Sequence, residues 1–358
     1  MAKINLSNIS HTYNPSDSNP TYALNPFSMT WENGNRYAIL GPSGCGKTTM
    51  LNIVSGLVRP TAGNILFDDK DVTNLKTESR NIAQVFQFPV IYNTMTVYDN
   101  LAFPLKCRNF KKEKIEERVQ SVSQTLNLSS FLNMPARKLT ADQKQLISLG
   151  RGLVREDVAA VLMDEPLTVI DPDLKFRLRR SLKEINEQYK TTLVYVTHDQ
   201  NEAMTFADNI IVMDQGEIVQ VGLPKDLFEK PKTTFVGYFI GSPAMNLFSS
   251  EVSSNNSIKF NNLEINTRTD LSKIKNKKVK LGIRSEFIKI ANEQKDNVVN
   301  VKVIRVEDFG NFKLITGKIG DFEIKSKVER EIPISSDNLK LYLPADKCCI
   351  YSEDKLVQ

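Results

Sequence analysis

The sequence lacks any long hydrophobic run, although it is 358 residues long. No apolar stretch approaches the roughly 20 residues that a membrane-spanning helix needs, and the first residues do not have the apolar segment of a signal peptide. We therefore expect a cytosolic protein that reaches a membrane only if a partner holds it there.

Cysteine and histidine are scarce, with four and two residues respectively. The thiols show neither the spacing of a metal site nor that of a disulfide framework: Cys45, Cys107, Cys348 and Cys349. We interpret them as reduced thiols without a common function.

A strong excess of one charge is absent too, since the net charge is only +5. The one dense basic segment is a run of lysines: Lys273, Lys275, Lys277, Lys278 and Lys280. No aromatic residues interleave with these lysines, so a solvated strand edge is favoured over a nucleic-acid patch. We expect no nucleic-acid partner.

A complete phosphate-binding motif, G-x-x-x-x-G-K-T, is present near the N-terminus: Gly41, Pro42, Ser43, Gly44, Cys45, Gly46, Lys47 and Thr48, followed by Thr49. Residues 37–40 before it form a short apolar run typical of a buried strand, and residues 49–54 after it have a helical pattern. In this context backbone N–H groups and a helix N-terminus converge on phosphate oxygens. Lys47 would neutralise the outer phosphates, and the Thr48 hydroxyl is the usual Mg²⁺ ligand.

Strand and helix patterns alternate through the first 240 residues, which favours a mostly parallel sheet with helices on its faces. Helices are predicted at residues 111–132, after Leu139 and at 175–188, and strands at 159–163, 192–196 and 210–213. Beyond about residue 245 short β-rich runs are separated by polar turns. This pattern predicts a small all-β barrel or sandwich, joined near residues 237–243.

Further motifs occur with the phosphate loop in a fixed order along the chain, and together they resemble the ATPase subunit of an ABC transporter. They are an upstream aromatic residue, a glutamine, a strand that ends in two acids, a following acid and a histidine: Tyr13, Gln87, Asp164, Glu165, Asp171 and His198. The resemblance implies that Tyr13 stacks on adenine and that Gln87 and Asp164 arrange Mg²⁺. It also implies that Glu165 is the general base, that His198 contacts the γ-phosphate and that Asp171 crosses a dimer interface. His11 is not expected to have a role.

The signature segment departs from the family's L-S-G-G-Q: Leu139, Thr140, Ala141, Asp142 and Gln143. In the family this segment faces the ATP of the opposite subunit. Here Ala141 and Asp142 replace glycines, and Asp142 adds a carboxylate where an anion should dock, which predicts a specialised or weakened half-site. Alternatively, Thr140 and Gln143 form an ordinary helix cap and Asp142 points away from the nucleotide. Val169 replaces the commoner asparagine before Asp171.

The resemblance implies an α/β, P-loop ABC ATPase domain over residues 1–240, with a mixed sheet and a helical subdomain at about 90–155. A small OB-like β-barrel would follow over residues 241–358, for regulation or dimerisation. Residues 94–105 resemble importer ATPases, and residues 279–286 resemble the regulatory barrel of sugar-type importers, with Ser285 where proline is usual. Residues 86–92, 139–145 and 235–243 resemble one ATPase of the glycerol importer pair.

These likenesses predict an ATP- and Mg²⁺-dependent subunit of an importer for a polyol or sugar-like solute. Glycerol is the first candidate for this solute. Import of sn-glycerol-3-phosphate or an oligosaccharide is the alternative, as is a weakly hydrolytic regulatory subunit. The expected partners are a second ATPase chain, two membrane permeases and, through them, a periplasmic binding protein. The expected location is the cytoplasmic face of the inner membrane.

Overall fold

The computed structural model describes residues 2–17, 19–168, 170–260, 263–274, 278–291, 293, 296–334 and 337–357. The chain divides into two units, Met1–Pro224 and Lys225–Gln358. Each unit has a hydrophobic core of its own. The sequence prediction placed the boundary later, at residue 240.

The described part of the first unit contains ten strands and six α-helices. In chain order they are β1 (Ile4–His11), β2 (Leu24–Trp31), β3 (Arg36–Leu40), α1 (Lys47–Ser55), β4 (Ala62–Phe67), β5 (Lys70–Asp71), β6 (Ala83–Val85), α2 (Val97–Lys106), α3 (Lys112–Thr125), α4 (Ala141–Leu153), β7 (Val161–Asp164), α5 (Pro172–Tyr189), β8 (Leu193–Thr197), α6 (Gln200–Phe206), β9 (Asn209–Asp214) and β10 (Glu217–Gly222).

Two sheets organise the first unit. A six-stranded sheet has the order β10-β9-β3-β8-β7-β6, and all its pairs are parallel except β10 with β9. Its inner strands are apolar runs because they are covered on both faces. A four-stranded antiparallel sheet has the order β2-β1-β4-β5. The expected mixed sheet is therefore present.

Helices α2, α3 and α4 fall within residues 90–155, where a helical subdomain was expected. The predicted helix over residues 111–132 is too long, because α3 ends at Thr125. Asn127 adopts a left-handed conformation at φ +55°, which breaks the i to i−4 hydrogen-bond ladder. Leu126 and Leu128 are still buried, so the apolar spacing reflected the core rather than a continuous helix.

The second unit is almost entirely β-structure. Two short helices come first and the strands follow. In chain order these elements are α7 (Pro224–Glu229), α8 (Thr234–Phe239), β11 (Asn246–Ser254), β12 (Ser257–Phe260), β13 (Leu263–Asn266), β14 (Lys278–Ile283), β15 (Lys289–Ile290), β16 (Val298–Asp308), β17 (Phe312–Ile319), β18 (Phe322–Glu329), β19 (Asn338–Tyr342), β20 (Cys349–Ser352) and β21 (Lys355–Leu356).

These strands form two antiparallel sheets, with the orders β13-β12-β11-β14-β20-β21 and β15-β19-β16-β17-β18. Apolar side chains from both sheets share one core. The prediction of a small all-β domain is confirmed.

The lysine run is not a strand edge, which corrects the sequence prediction. Lys278 and Lys280 lie on β14, which pairs on both sides, with β11 and β20. They alternate with buried Val279 and Leu281, so they are exposed on a face of the sheet. Lys280 also pairs with Asp354 at 2.7 Å. Lys275 and Lys277 lie outside the described residues.

Helices α7 and α8 belong to the second unit partly because of one buried arginine. The Arg284 guanidinium is fully buried and donates hydrogen bonds to the carbonyl oxygens of Phe228 (2.9 Å), Gly237 (2.9 Å) and Ile240. Burial lowers the pKa of Arg284 to about 10, so the side chain remains charged at neutral pH. Arg284 therefore ties both helices to β14.

We expect Arg284→Met to destabilise the second unit by about 3 kcal/mol, because several buried carbonyl groups would lose their donor. Thermal unfolding of the full chain, followed by calorimetry, measures this loss. The matched control is Arg268→Met, since Arg268 is exposed. Equal melting of the two variants would contradict the role assigned to Arg284.

Among the described residues, none of the helices combines the length and apolarity needed to cross a bilayer.

Candidate active site

The phosphate loop joins the buried central strand β3 to helix α1. Gly46, the last residue of the loop, has φ +99°, and a Cβ atom there would lie 2.5 Å from the carbonyl oxygen of Ala23. Only glycine fits both conditions. The N-terminus of α1 therefore follows the loop directly, in the arrangement that presents N–H groups to an anion.

The Lys47 side chain lies back across the loop. Its ammonium group donates to the carbonyl oxygens of Gly41 and Pro42, at 2.9 and 2.8 Å, and lies 3.8 Å from the Cys45 sulfur. Burial raises the pKa of the Cys45 thiol, so this sulfur stays protonated and does not compete as a charged group. Lys47 is the positive charge of the loop.

A cleft of about 520 Å³ opens over the loop. Its lining combines the loop with side chains from distant segments: Tyr13, Ala23, Ser43, Gly44, Gly46, Lys47, Thr48, Thr49, Gln87, Glu165 and His198. All of these except Ala23 were predicted from the sequence. The volume lies in the range of small-molecule and cofactor sites.

Tyr13 lies at the mouth of this cleft with 61% of its surface exposed. Its hydroxyl shares a hydrogen bond of 3.1 Å with Thr49, and its ring packs edge-on against His11, with the centroids 4.6 Å apart. His11 is buried, and burial lowers its pKa, so the imidazole is neutral at pH 7. His11 thus supports Tyr13, a contribution that the sequence did not indicate.

Asp164 ends β7 next to the loop. It is buried and hydrogen-bonded to the Thr48 hydroxyl. Burial raises the pKa of Asp164, and the neighbouring Glu165 adds to this, while the Thr48 bond and the Lys47 charge oppose it. A carboxylate and a hydroxyl oxygen are thereby held together, although they come from distant parts of the sequence.

The segments that carry Gln87, Glu165 and His198 come together at the Glu165 carboxylate. Its carboxylate lies 3.2 Å from His198 Nδ1 and accepts a long hydrogen bond of 3.5 Å from the Gln87 amide. Thr168 Oγ1 lies 3.3 Å from the same oxygen. Glu165 has φ +45°, a strained conformation for a residue with a side chain, and such strain is concentrated at functional sites.

His198 follows β8 and is largely exposed. The turn that carries it is held by the buried carboxylate of Glu202. Glu202, on α6, binds four side chains within 3.5 Å: Tyr195, Thr197, Lys175 and Arg179. The sequence analysis missed Glu202, because an acid in the first turn of a helix is typical of a solvent-exposed face.

The signature segment does not line the cleft within the described part of this chain. It starts α4, where the Thr140 hydroxyl accepts from the Gln143 N–H at 3.3 Å and the Gln143 side chain accepts from the Thr140 N–H at 3.0 Å. The capping alternative therefore describes Thr140 and Gln143. Leu139, Ala141 and Asp142 flank this cap, with Asp142 in the first turn.

Asp171 is also a helix cap: its carboxylate accepts from the Asp173 N–H at 3.0 Å at the start of α5. It too is absent from the described lining of the cleft. Val169 lies outside the described residues.

The donors beside the loop suit Mg²⁺. This ion prefers a few oxygen ligands and keeps several waters and phosphate oxygens. Within the described ranges no group of three or more His, Cys, Asp or Glu side chains is placed to hold a metal ion by itself. The hydroxyl of Thr48, the carboxylate of Asp164 and the amide oxygen of Gln87 supply hard oxygen atoms.

Comparison with known proteins agrees with this geometry. Residues 24–168 match the family model of ABC transporters, and residues 241–288 match that of the MalK OB fold domain. The chain is 36% identical to the sn-glycerol-3-phosphate import ATP-binding protein UgpC of Pectobacterium atrosepticum, over 96% of each protein. It is also 36% identical to the trehalose/maltose import ATP-binding protein MalK of Thermococcus litoralis, over 90% of this chain and 93% of that protein.

Solved structures show the same fold in the first unit. One is cbiO1 of Clostridium perfringens, part of an ABC transporter complex, with 26% identity, a TM-score of 0.57 and coverage of 63% of this chain and 90% of that one. Another is an ATP-binding cassette solved as a dimer after hydrolysis, with ADP and phosphate bound. It has 28% identity and a TM-score of 0.56, and covers 62% of this chain and 98% of that one. The expected resemblance and fold class are confirmed, and the chain belongs to the ATP-hydrolysing subunits of ABC importers of the sugar and glycerol-phosphate group.

Proposed function

We propose that this importer ATPase cleaves ATP in the cleft over the phosphate loop, with Glu165 as the general base. The observation that carries this proposal is the position of the Glu165 carboxylate, which is shared between His198 and Gln87 at the wall of that cleft. A carboxylate in this place can take a proton from water, while His198 and Gln87 orient the water and the γ-phosphate.

The remaining roles follow from position. Lys47 and the loop N–H groups hold the phosphates, and Tyr13 stacks on the adenine ring. Thr48, Asp164 and Gln87 would hold Mg²⁺. When bound, Mg²⁺ neutralises charge on the phosphate oxygens.

We infer that two ATPase chains act together. The signature residues and Asp171 are absent from the described lining of the cleft of their own chain, which supports a function at the nucleotide of a partner. A different second ATPase chain would suit the altered signature, because the two half-sites need not then be equivalent.

Asp142 is the observation that favours the second candidate, a weakly hydrolytic subunit. The Thr140 hydroxyl is already engaged in the helix cap, and a carboxylate follows two residues later in the first turn. Two like charges at about 4 Å repel by about 4 kcal/mol at an effective dielectric near 20, and less where water screens them.

We expect Asp142→Gly to raise the ATPase rate of the assembled transporter two- to tenfold, since screening reduces the full Coulomb term. Phosphate release by the reconstituted complex measures the rate. Asp173→Gly would lower the propensity of a helix first turn in the same way and serves as the matched control. An unchanged or lower rate in Asp142→Gly would exclude repulsion as the reason for the altered signature.

A groove beside the glutamine segment is a suitable contact for a membrane permease. Phe88, Val90 and Tyr92 expose 71%, 54% and 40% of their surfaces here, and Arg151 packs over the Tyr92 ring at 4.6 Å. Val90 and Arg151 also line a cavity of about 260 Å³. We propose that one permease inserts a short helix here, that a second permease contacts the second ATPase chain, and that this contact holds the chain at the cytoplasmic face of the inner membrane. A periplasmic binding protein would act through them.

The solute is proposed from likeness alone, since it contacts the permeases and the binding protein rather than this chain. Relatives are named for sn-glycerol-3-phosphate and for trehalose/maltose. We propose a solute of this polyol, polyol-phosphate or sugar class. Glycerol is the first candidate, and sn-glycerol-3-phosphate or an oligosaccharide is the alternative.

Transport by the purified complex in vesicles tests the proposal. ATP-dependent accumulation of labelled glycerol, sn-glycerol-3-phosphate or maltose would identify the solute, and vesicles containing Glu165→Gln are the control for coupling. Accumulation that continues without hydrolysis would overturn the proposed role of this subunit. Failure with all three solutes would refute the solute class while the ATPase assay decides the chemistry.

A further inference from the structure

One face of helix α4 binds the backbone of the segment that carries Gln87. Gln145 donates to the carbonyl oxygen of Phe86 at 3.1 Å, Ser148 accepts from the N–H of Val90 at 3.4 Å, and Arg151 donates to the carbonyl oxygen of Val90 at 2.6 Å. The three side chains are three residues apart, so they follow one face of the helix. The segment after β6 is thus held by side chains rather than by a strand partner.

Gln145 makes a second contact that Ser148 and Arg151 do not make. The same amide nitrogen donates to the carbonyl oxygen of Pro166 at 3.0 Å. Phe86 immediately precedes Gln87, and Pro166 immediately follows Glu165. One side-chain amide therefore joins the backbones on either side of the proposed water site.

The two hydrogen bonds determine the orientation of the Gln145 side-chain amide. Two carbonyl oxygens can be satisfied only by the NH₂ group, so the oxygen of the amide must point elsewhere. That oxygen is buried and has no hydrogen-bond partner among the residues that the structure describes. Gln145 itself is fully buried. A buried amide that leaves one atom unpaired is costly to keep for packing alone, which favours a specific role for its two donated bonds.

We propose that Gln145 is a positioning residue for ATP hydrolysis: it sets the distance between Gln87 and Glu165 and couples both to α4. Because α4 begins at the signature segment, a shift of this helix on contact with the partner's nucleotide would move both backbones together. This inference rests on the proposed function, since it assigns Gln87 and Glu165 to the water site.

The test compares Gln145→Met with Gln220→Met. Gln220 is also buried, but it lies on β10, at the opposite edge of the six-stranded sheet from β6. In the assembled transporter we expect Gln145→Met to lower kcat at least tenfold with the KM for ATP changed less than twofold. Gln220→Met should leave both within twofold.

Hydrogen–deuterium exchange of the full chain without nucleotide gives a readout that is independent of activity. We expect amide exchange to accelerate in residues 86–90 and in residues 165–168 in Gln145→Met, and in neither segment in Gln220→Met. If Gln145→Met does not melt cooperatively, Gln145→Leu replaces it, because it also removes the donor and places no charge in this fully buried position.

A kcat within twofold of the original would overturn the proposal, as would faster exchange in one segment only. Equal losses in the Gln145 and Gln220 variants would also overturn it, since they would indicate a general cost of removing a buried amide. If the unchanged complex hydrolyses no ATP, the proposed function fails, whereas the exchange experiment still decides whether Gln145 joins the two segments.

Discussion

Glu165→Gln is expected to lower ATP hydrolysis at least 100-fold while ATP binding persists. The carboxamide has nearly the same shape as the carboxylate, but it cannot accept a proton from water. General-base catalysis typically contributes about 10²- to 10⁴-fold to a rate. The Gln87 amide and His198 would still reach the side-chain oxygen, so the cleft should keep its form.

Two measurements on the assembled transporter check this expectation: steady-state phosphate release and the Kd of a fluorescent ATP analogue. The control is Glu184→Gln, the same change at an exposed position of α5 where the carboxylate pairs only weakly with Arg180. Hydrolysis at the original rate in Glu165→Gln would remove Glu165 from the chemistry. Loss of binding together with hydrolysis would instead make it a structural residue.

Lys47→Met is expected to weaken ATP binding at least tenfold and to abolish hydrolysis. The substitution removes the one cation that the phosphate loop supplies, while it keeps a flexible side chain of similar length. The loop itself should persist, because the substitution removes one donor from the carbonyl groups of Gly41 and Pro42 and from the Cys45 sulfur, while the glycine conformations are unaffected.

Isothermal titration with Mg²⁺ and ATP measures the affinity, and thermal unfolding checks that the first unit stays folded. Lys70→Met, at an exposed position on β5, is the matched control. Undiminished affinity in Lys47→Met would contradict the assignment of the loop as the phosphate site. A large fall in melting temperature would show that the lysine mainly holds the loop together.

The sequence by itself determined the phosphate loop, the paired acids at the end of β7 and the all-β second unit. These features are local, since their residue types follow from the conformation and chemistry of a few neighbouring positions. The glycines before Lys47, the apolar strand before the loop and the helix after it fall in this group. Local patterns were misleading where buried residues continued past a helix end, as at Leu126 and Leu128, and at the lysines of β14, which lie on a face of the sheet rather than at its edge.

Tertiary structure alone decided which distant groups meet. The Thr48–Asp164 bond, the buried Glu202 below His198 and the Arg284 contacts with helix carbonyls have no local signature. Gln145 is the clearest case, because its partners are carbonyl oxygens 59 and 21 residues away. Every residue carries a backbone carbonyl, so residue type does not reveal which carbonyl a buried donor will reach. The packing of the helices against the sheet determines which carbonyl oxygen each buried donor reaches.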